Sequence, residues 1–264
     1  FRTRLGLPAR TDVPRFDDVA PAAFDAIVDE RVPVFSCGLG LPSREWVQRC
    51  HARGIKVIAM GCTVPDCREL AALGIDAVIA QGAEAGGHRS SWASPRSAER
   101  AAIGTLSLVP QVVDAVDVPV VAAGGISDGR QLAAALILGA EGVLIGTRFI
   151  ATQESRAPQF YKEALLAAHS DTTVLTDTFT GLYARVLRNR YVEEYRASGA
   201  PVLPPIIQYE ATTDLRENAV RTSNADYFPL YSGQGVGLVR DLPRCADLMR
   251  SIVKEAHARL GVRA

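Results

Sequence analysis

Residues 118–150 read VPVVAAGGISDGRQLAAALILGAEGVLIGTRFI. The run 118–123 is β-branched and almost wholly apolar, and it stops at Gly124-Gly125. Ser127 is a helix cap, an amphipathic helix is predicted over 128–138, and Gly139 marks its end. A second apolar run, 142–146, follows at once. Neither run alternates polar with apolar, as expected of parallel strands buried on both faces. Strand, helix and strand in that order predict a right-handed βαβ unit.

The same unit recurs upstream. Apolar runs at 32–36, 55–60 and 75–81 predict three more strands. Between them, helices are predicted over 43–53, after Pro42 and before Gly54, and over 65–73, between Thr63 or Val64 and Gly74. The rhythm is regular except for one longer gap between the third and fourth strands. A barrel or an open doubly wound sheet could follow. The open sheet needs a GxGxxG at its first βα turn, and no strand here is followed by one. Glycines cluster instead after the third, fourth and fifth strands, and function at several strand ends is the habit of the barrel. The expected fold class is α/β, a (β/α)8 TIM barrel. Five strands cannot close an eight-stranded barrel. Either an N-terminal piece of roughly 75 residues, three βα units at this spacing, is lost or supplied elsewhere, or the chain is a decayed relative of a full barrel; it begins with Phe1 rather than Met.

Beyond Ile150 the texture changes. Helices are predicted over 159–168 and 178–195, with a break at 201–205, a Gly-rich turn at 233–237 and a final helix at 242–260. The expected organisation is a barrel portion at 1–150, a mostly helical insertion or lid at 151–241, and a C-terminal segment at 242–264 whose helix returns to the barrel.

Composition narrows the function. The 264 residues carry 29 Lys plus Arg against 29 Asp plus Glu, so the chain has no basic surplus to neutralise a phosphate backbone, and nucleic acid is not an expected partner. The longest nearly pure apolar run, 132–140, is far short of the roughly 20 residues of a membrane span. The five cysteines form no CxxC and no zinc-ligand spacing, so no metal is expected. They read as idle thiols of a reducing compartment, the cytoplasm. His51, His169 and His257, and the Arg-rich stretch 185–196, read as solvated helix faces.

Chemistry is expected at three strand ends. The third strand runs into Gln81-Gly82-Ala83-Glu84-Ala85-Gly86-Gly87-His88-Arg89. Gly86 and Gly87 let backbone approach a ligand, and His88 is an acid–base or hydrogen-bonding group near neutral pH. Gly124-Gly125 before Ser127-Asp128, and Gly146-Thr147 after the fifth strand, pair as barrel phosphate loops do, the former at the start of a helix. Turns needed only for packing would explain one such loop more easily than two in succession.

The run AQGAEAGGHR, with PVVAAGGISDGRQLAAALILGAEGVLIGTRF after it and Tyr231-Ser232-Gly233-Gln234-Gly235 later, resembles the nitronate monooxygenases, formerly 2-nitropropane dioxygenases. Ser90 stands where that family often has Gly, and Phe228 and Tyr231 replace a more usual Lys and Trp. The resemblance implies an FMN-dependent TIM-barrel oxidoreductase converting alkyl nitronates and O2 to carbonyl compound and nitrite, with small molecules as partners and a homo-oligomer as one arrangement. It implies that Gln81, Gly86 and Gly87 meet the flavin, that Gly124, Gly125, Gly146 and Thr147 hold the FMN phosphate, and that His88 is catalytic. A flavin enoyl reductase using NAD(P)H has a similar Glu-Ala-Gly-Gly-His loop, usually opened by Glu where this chain has Gln81. The same residues also suit a noncatalytic flavin-binding protein or a flavin-free barrel that binds a sugar phosphate.

Overall fold

The computed structural model describes residues 1–10, 18–91 and 102–261. In chain order its strands are β1 (Val34–Cys37), β2 (Lys56–Gly61), β3 (Ala77–Gln81), β4 (Gly87–His88), β5 (Val120–Ala123), β6 (Gly142–Leu144), β7 (Thr173–Thr176) and β8 (Ala184–Leu187). The chain divides into two compact units. One holds residues 18–85, 89–145 and 246–264, and the other 1–17, 86–88 and 146–245.

The first unit is built on a parallel sheet ordered β1-β2-β3-β5-β6. The order follows the chain with no reversal, so each helical crossover delivers the next strand beside the last. A doubly wound sheet would need a switch point, and this one has none. The arrangement is a TIM-barrel-like run of βα units. At the centre, Val78, Ile79, Ala80 and Gln81 of β3 are all buried, which is why that strand is continuous in apolar character. At one edge β1 is half open, with Val34 exposed, and at the other Leu144 of β6 is exposed.

The helices start where the punctuation places them. Ser43 accepts from the Trp46 amide at 3.1 Å at the head of helix Arg44–Ala52. Thr63 accepts from the Asp66 amide at 3.2 Å at the head of Val64–Ala72. The third cap differs from the sequence reading. Asp128, rather than Ser127, caps Gly129–Ile137, because its carboxylate accepts from the Arg130 and Gln131 amides while the Gln131 side chain closes a capping box from the other side. Strand ends also shift. The fifth run stops at Leu144 because Gly146 already has helical dihedrals and opens the short helix Thr147–Ile150. The third begins at Ala77, since Asp76 turns its side chain to accept from the Val57 amide at 2.8 Å. Asp76 also takes Lys56 and His51, at 2.6 and 3.0 Å, so the His51 ring is a hydrogen-bond partner of Asp76.

The last helix, Cys245–Leu260, contributes residues 246–260 to this unit, and residues 262–264 of the C-terminal segment lie outside the described ones. It meets Gly129 so closely that a Cβ there would fall 2.4 Å from the Ile252 carbonyl oxygen. Glu255 meanwhile accepts from the Gly129 amide at 3.0 Å.

The regular structure of the second unit beyond Ile150 is mostly helical, with helices Gln159–Ala167, Arg190–Ser198, Ile207–Ala211 and Thr213–Arg221, but the unit is not wholly so. It contains an antiparallel sheet ordered β4-β8-β7, in which Gly87 pairs with Arg185 and His88 with Ala184. The helix expected over 178–195 is a turn, strand β8 and the shorter helix Arg190–Ser198. Gly181 breaks the helical pattern: its φ is +77°, and a Cβ would lie 2.7 Å from the Leu203 carbonyl oxygen. Asn189 then starts a new helix by accepting from the Val192 amide at 3.2 Å. Arg185, read as part of a solvated helix face, is a buried strand residue that donates to Thr173 Oγ1 at 3.1 Å. Phe179, Val186, Tyr191, Val192 and Leu215 form one apolar cluster here, and Tyr161, Leu165, Val236 and Val239 another.

The contact at Gly129 gives a direct test. Gly129→Ala places a methyl group against helix backbone that cannot swing aside, and it should cost about 1–3 kcal/mol in urea denaturation. An unchanged midpoint would show that the final helix is not seated there.

Candidate functional site

Strand β3 ends at Gln81, whose partner on β5 is Ala123, so the loops after these two strands leave from one end of the sheet. Their packing requires glycine. A Cβ on Gly82 would fall 2.6 Å from Thr105 Cα, and one on Gly124 (φ +118°) 2.9 Å from Thr105 Oγ1. Thr105 begins helix Thr105–Val113, whose cap, Gly104, has no side chain to offer. Glu84 supplies the missing acceptor from the neighbouring loop. Its carboxylate takes the Thr105 amide at 2.8 Å and the Thr105 hydroxyl at 2.7 Å, while the Gly124 carbonyl, 3.1 Å from the hydroxyl oxygen, shares that one hydrogen. One Thr and one Glu thus tie two glycine loops and a helix end together. Neither stands out in the sequence; a Gly-Thr pair inside the long gap between the third and fourth strands is the available signal.

Gln81 is buried and its amide has a fixed sense. Its Oε1 accepts from the Cys62 thiol and from the Ser90 amide, each at 2.9 Å. Burial pushes the Cys62 thiol up to about 11, so it stays a donor. The side of the amide turned from Cys62 and Ser90 is therefore the NH2 group, a donor only. Ser90 in turn donates to the Met60 carbonyl at 2.8 Å and accepts from the Leu39 amide at 2.9 Å, joining the ends of β1, β2 and β3. Arg89 is not presented to solvent. It is 6% exposed and donates to the Gln81 and Gly82 carbonyls at 2.8 Å each, satisfying loop backbone that the sheet cannot reach.

The helix after Gly124-Gly125 does not offer its first amides to a ligand. Gln131 Oε1 takes Ser127 N at 2.7 Å, Asp128 takes the Arg130 and Gln131 amides, and Glu255 takes that of Gly129. Gln131 also donates to the Gly125 carbonyl at 2.6 Å, which holds the glycine turn in place. Any anion at this loop must therefore meet the glycines, not the helix end. This corrects the reading of the Ser127-Asp128 helix start as the anion-binding element.

The second unit brings Gly86, Gly87, His88 and Thr147 together with the late Tyr231–Gly235 motif. A Cβ on Gly86 would lie 2.5 Å from the Gly233 nitrogen, so only glycine fits. Gly87 has φ +77° and open space around it, a conformational requirement. Thr147 Oγ1 accepts from the Gly233 amide at 2.9 Å. Ser232 is fully buried and its amide donates to the Arg185 carbonyl at 3.2 Å, which lays this motif along β8. His88 Nε2 lies 2.9 Å from Thr180 Oγ1, and its ring is 5.4 Å from that of Tyr231, centroid to centroid. Burial lowers the imidazole pKa below its ordinary 6.5, so His88 is neutral at pH 7. Tyr231 is raised to about 12 by burial and keeps its proton.

Gly146 differs from Gly82, Gly86, Gly87, Gly124 and Gly125, and shares with Gly142 a backbone and surroundings that would accept a side chain. Its φ is −100°, open to any residue, and a Cβ would meet nothing within 4 Å. Neither packing nor backbone conformation calls for glycine there. A site where something outside the chain approaches the backbone would. Among the described residues no group of three or more His, Cys, Asp or Glu could hold a metal ion, and no helix is long and apolar enough to cross a membrane.

The family model for nitronate monooxygenase matches residues 17–255. A probable nitronate monooxygenase of Staphylococcus saprophyticus is 39% identical over 89% of this chain, and one of Staphylococcus aureus strain Newman is 37% identical over 88%. The chain spans 66% and 64% of the lengths of these two relatives. Among solved structures, a nitroalkane oxidase from Streptomyces ansochromogenes is similar over 98% of this chain and 74% of its own, with 38% identity and a TM-score of 0.87. FabK from Thermotoga maritima is similar over 93% of this chain and 74% of its own, with 31% identity and a TM-score of 0.79. With sequential βα units, the glycine strand ends and a family match across most of its length, the chain belongs to the nitronate monooxygenase family.

Proposed function

We propose that this chain carries the flavin and catalytic residues of an FMN-dependent enzyme that oxidises alkyl nitronates with O2 to a carbonyl compound and nitrite. The observation that carries the reading is His88, neutral and half-buried beside Tyr231, on a loop whose glycines are each required by packing or by φ.

The residues present fit an FMN. The Gly124-Gly125 turn is held open by Glu84, Thr105 and Gln131, and Gly146 has no reason within the chain to be glycine. In this reading Gly124, Gly125, Gly146 and Thr147 hold the terminal phosphate, the Thr147 hydroxyl hydrogen serving as a donor. Gln81 presents its NH2 to the ring, and Gly86 and Gly87 let backbone approach it. FMN rather than FAD follows from the lack of a pyrophosphate fingerprint. The flavin, when bound, supplies the electron-accepting chemistry. The protein holds the substrate anion, excludes water and, for a neutral nitroalkane, removes the α-proton. A nitronate is already a carbanion equivalent and needs no base. For the neutral form, a neutral imidazole is the group suited to that step at pH 7. The small-molecule partners are the nitronate and O2, and the expected setting is the cytoplasm.

NAD(P)H-dependent enoyl reduction is the second reading, supported by the similarity to FabK of Thermotoga maritima. Gln81 weighs against it, because the loop of that reductase usually opens with Glu. Anaerobic mixing of the flavin-loaded protein separates them: a nitronate should bleach the flavin, and NADPH alone should not.

His88→Asn should fold and retain flavin. It should lose about 10²- to 10⁴-fold of kcat/KM on a neutral nitroalkane, and less on the preformed nitronate. Equal activity of the two proteins on both forms would remove His88 from catalysis. Because the base acts when unprotonated and burial lowers its pKa, kcat/KM on the neutral substrate should rise with pH along a limb whose midpoint lies below the ordinary imidazole value. A midpoint above that value would assign the limb to another group. Gly146→Ala should leave stability within about 0.5 kcal/mol, since its Cβ has space, yet weaken FMN binding in a titration. Unchanged FMN affinity would take Gly146 out of the phosphate site.

A further inference from the structure

We propose that Arg89 is a fixed, buried cation that tunes a flavin at the end of β3, its charge stabilising the negative charge that the ring gains on reduction. The proposal rests on the reading that Gln81 meets the flavin ring. Arg89 acts through its field and is not a catalytic residue.

Arg89 is as buried as Arg148, but the two charges are answered differently. Arg148 pairs with the Asp241 carboxylate. Among the described residues no carboxylate forms an ion pair with Arg89. Its Nη1 and Nη2 donate to the Gly82 and Gln81 carbonyl oxygens, and its Nε is buried with no hydrogen-bond partner among the described residues. Carbonyls offer dipoles but no net charge, and a neutral amide side chain would serve two of them at a far smaller desolvation cost. Burial pulls the guanidinium below its ordinary value, yet an arginine keeps its proton in a protein. Glu84 acts on Arg89 from a distance, with its carboxylate already committed to the Thr105 amide and hydroxyl. A permanent buried charge without a close counter-charge in the chain calls for one from outside.

The position of the charge says which part of a ligand would supply it. Gln81 and Gly82 are the last residue of β3 and the first of its loop, at the strand end where barrels bind ligands. The amide of Ser90, next in the chain after Arg89, donates to Gln81 Oε1 at 2.9 Å, and so does the Cys62 thiol, which lies in the field of Arg89. Cys62 follows β2, and in the sheet β2 and β5 flank β3 on opposite sides. The charge is thus knotted to the Gln81 amide and the β2 side, whereas the Gly124-Gly125 turn follows β5.

An oxidised flavin ring is neutral. Two electrons and one proton leave it with one negative charge, spread over N1 and O2. Sulfite produces the same charge without a substrate: the sulfur lone pair forms a bond to N5, the displaced ring pair settles at N1 and O2, and nothing leaves. A preorganised cation favours both products over the neutral ring. At an effective dielectric of about 20, a unit charge about 10 Å away shifts such an equilibrium by roughly tenfold.

Sulfite titration and redox titration of the flavin-loaded protein read this effect without a nitronate. Arg89→Gln should weaken sulfite binding about tenfold and lower the two-electron potential by about 30 mV, the same factor converted. Arg89→Lys keeps the charge and should hold both values near those of wild type. Equal values in all three proteins would overturn the proposal. Equal falls in both variants would also overturn it, since the lost guanidinium bonds and not the charge would then be the cause. A loss of affinity for FMN but not for riboflavin, with the potential unmoved, would put the charge at the phosphate and count against it as well. Should the glutamine variant not fold, wild type and the lysine variant decide: both should take up sulfite more tightly, and be reduced at a higher potential, than free FMN, and the opposite order sinks the assignment. A wild-type chain that binds no flavin overturns this proposal together with the reading beneath it. The expected shifts in a protein whose flavin no nitronate bleaches would support the role of Arg89 while overturning the proposed reaction.

Discussion

The fit of Gly82 against Thr105 is the constraint on which the ends of the sheet depend. A β3 buried on both faces has to release its chain into a loop within one residue of Gln81, and there is no room for a side chain at that exit. The helix start that presses against it carries its own problem, since Gly104 cannot cap it. The loop solves both at once: Glu84 folds back to take the Thr105 amide and hydroxyl, and the hydroxyl steadies the Gly124 carbonyl of the next loop. Loops rich in glycine are entropically costly to order. Here the cost is offset by the charge-assisted bonds of Glu84 to the Thr105 amide and hydroxyl.

The same economy of roles separates residues that look alike in the sequence. His88 and Arg89 are adjacent, but β pairing turns His88 toward Thr180 and Tyr231, while Arg89 is used up by two loop carbonyls. Gly124-Gly125 and Gly146-Thr147 are similar strings, yet the first is dictated by φ and by contact, and the second is not. Ser90, a departure from the family's frequent glycine, is fully engaged with Leu39, Met60 and the Gln81 side chain. A glycine at that position would keep the backbone bond to Gln81 Oε1 and remove the hydroxyl that joins Leu39 to Met60.

What is legible in the sequence is governed by local chemistry. The five parallel strands, and three of the four helices between them, are legible because burial on both faces writes an unbroken apolar run and caps are written in Ser, Thr, Pro and Gly; helix Thr105–Val113, whose cap is Gly104 and which holds Pro110, is not. Strand β8 is not legible. Val186, Leu187, Tyr191 and Val192 have helical spacing, and only the φ of Gly181 and the capping bond of Asn189 show where one element stops and another starts. Strand β4 is two residues long and exists by pairing with β8, so no pattern in its own sequence could announce it. The helix start at Ser127-Asp128 misleads for a related reason. Its amides look available to an anion, but Gln131 and the distant Glu255 claim them, and the second of these depends on a helix more than a hundred residues on.

That occupation bears on what kind of anion the glycine loop can take. A helix end with unclaimed amides attracts phosphate of any origin through aligned dipoles. Here the carboxylates of Asp128 and Glu255 and the Gln131 carbonyl oxygen stand where such an anion would sit, so the dipole is already answered within the chain. The glycine turn is left to be fixed from within the chain: the Gln131 side chain accepts from the Ser127 amide and donates to the Gly125 carbonyl, so one residue both closes the helix end and holds the loop before it.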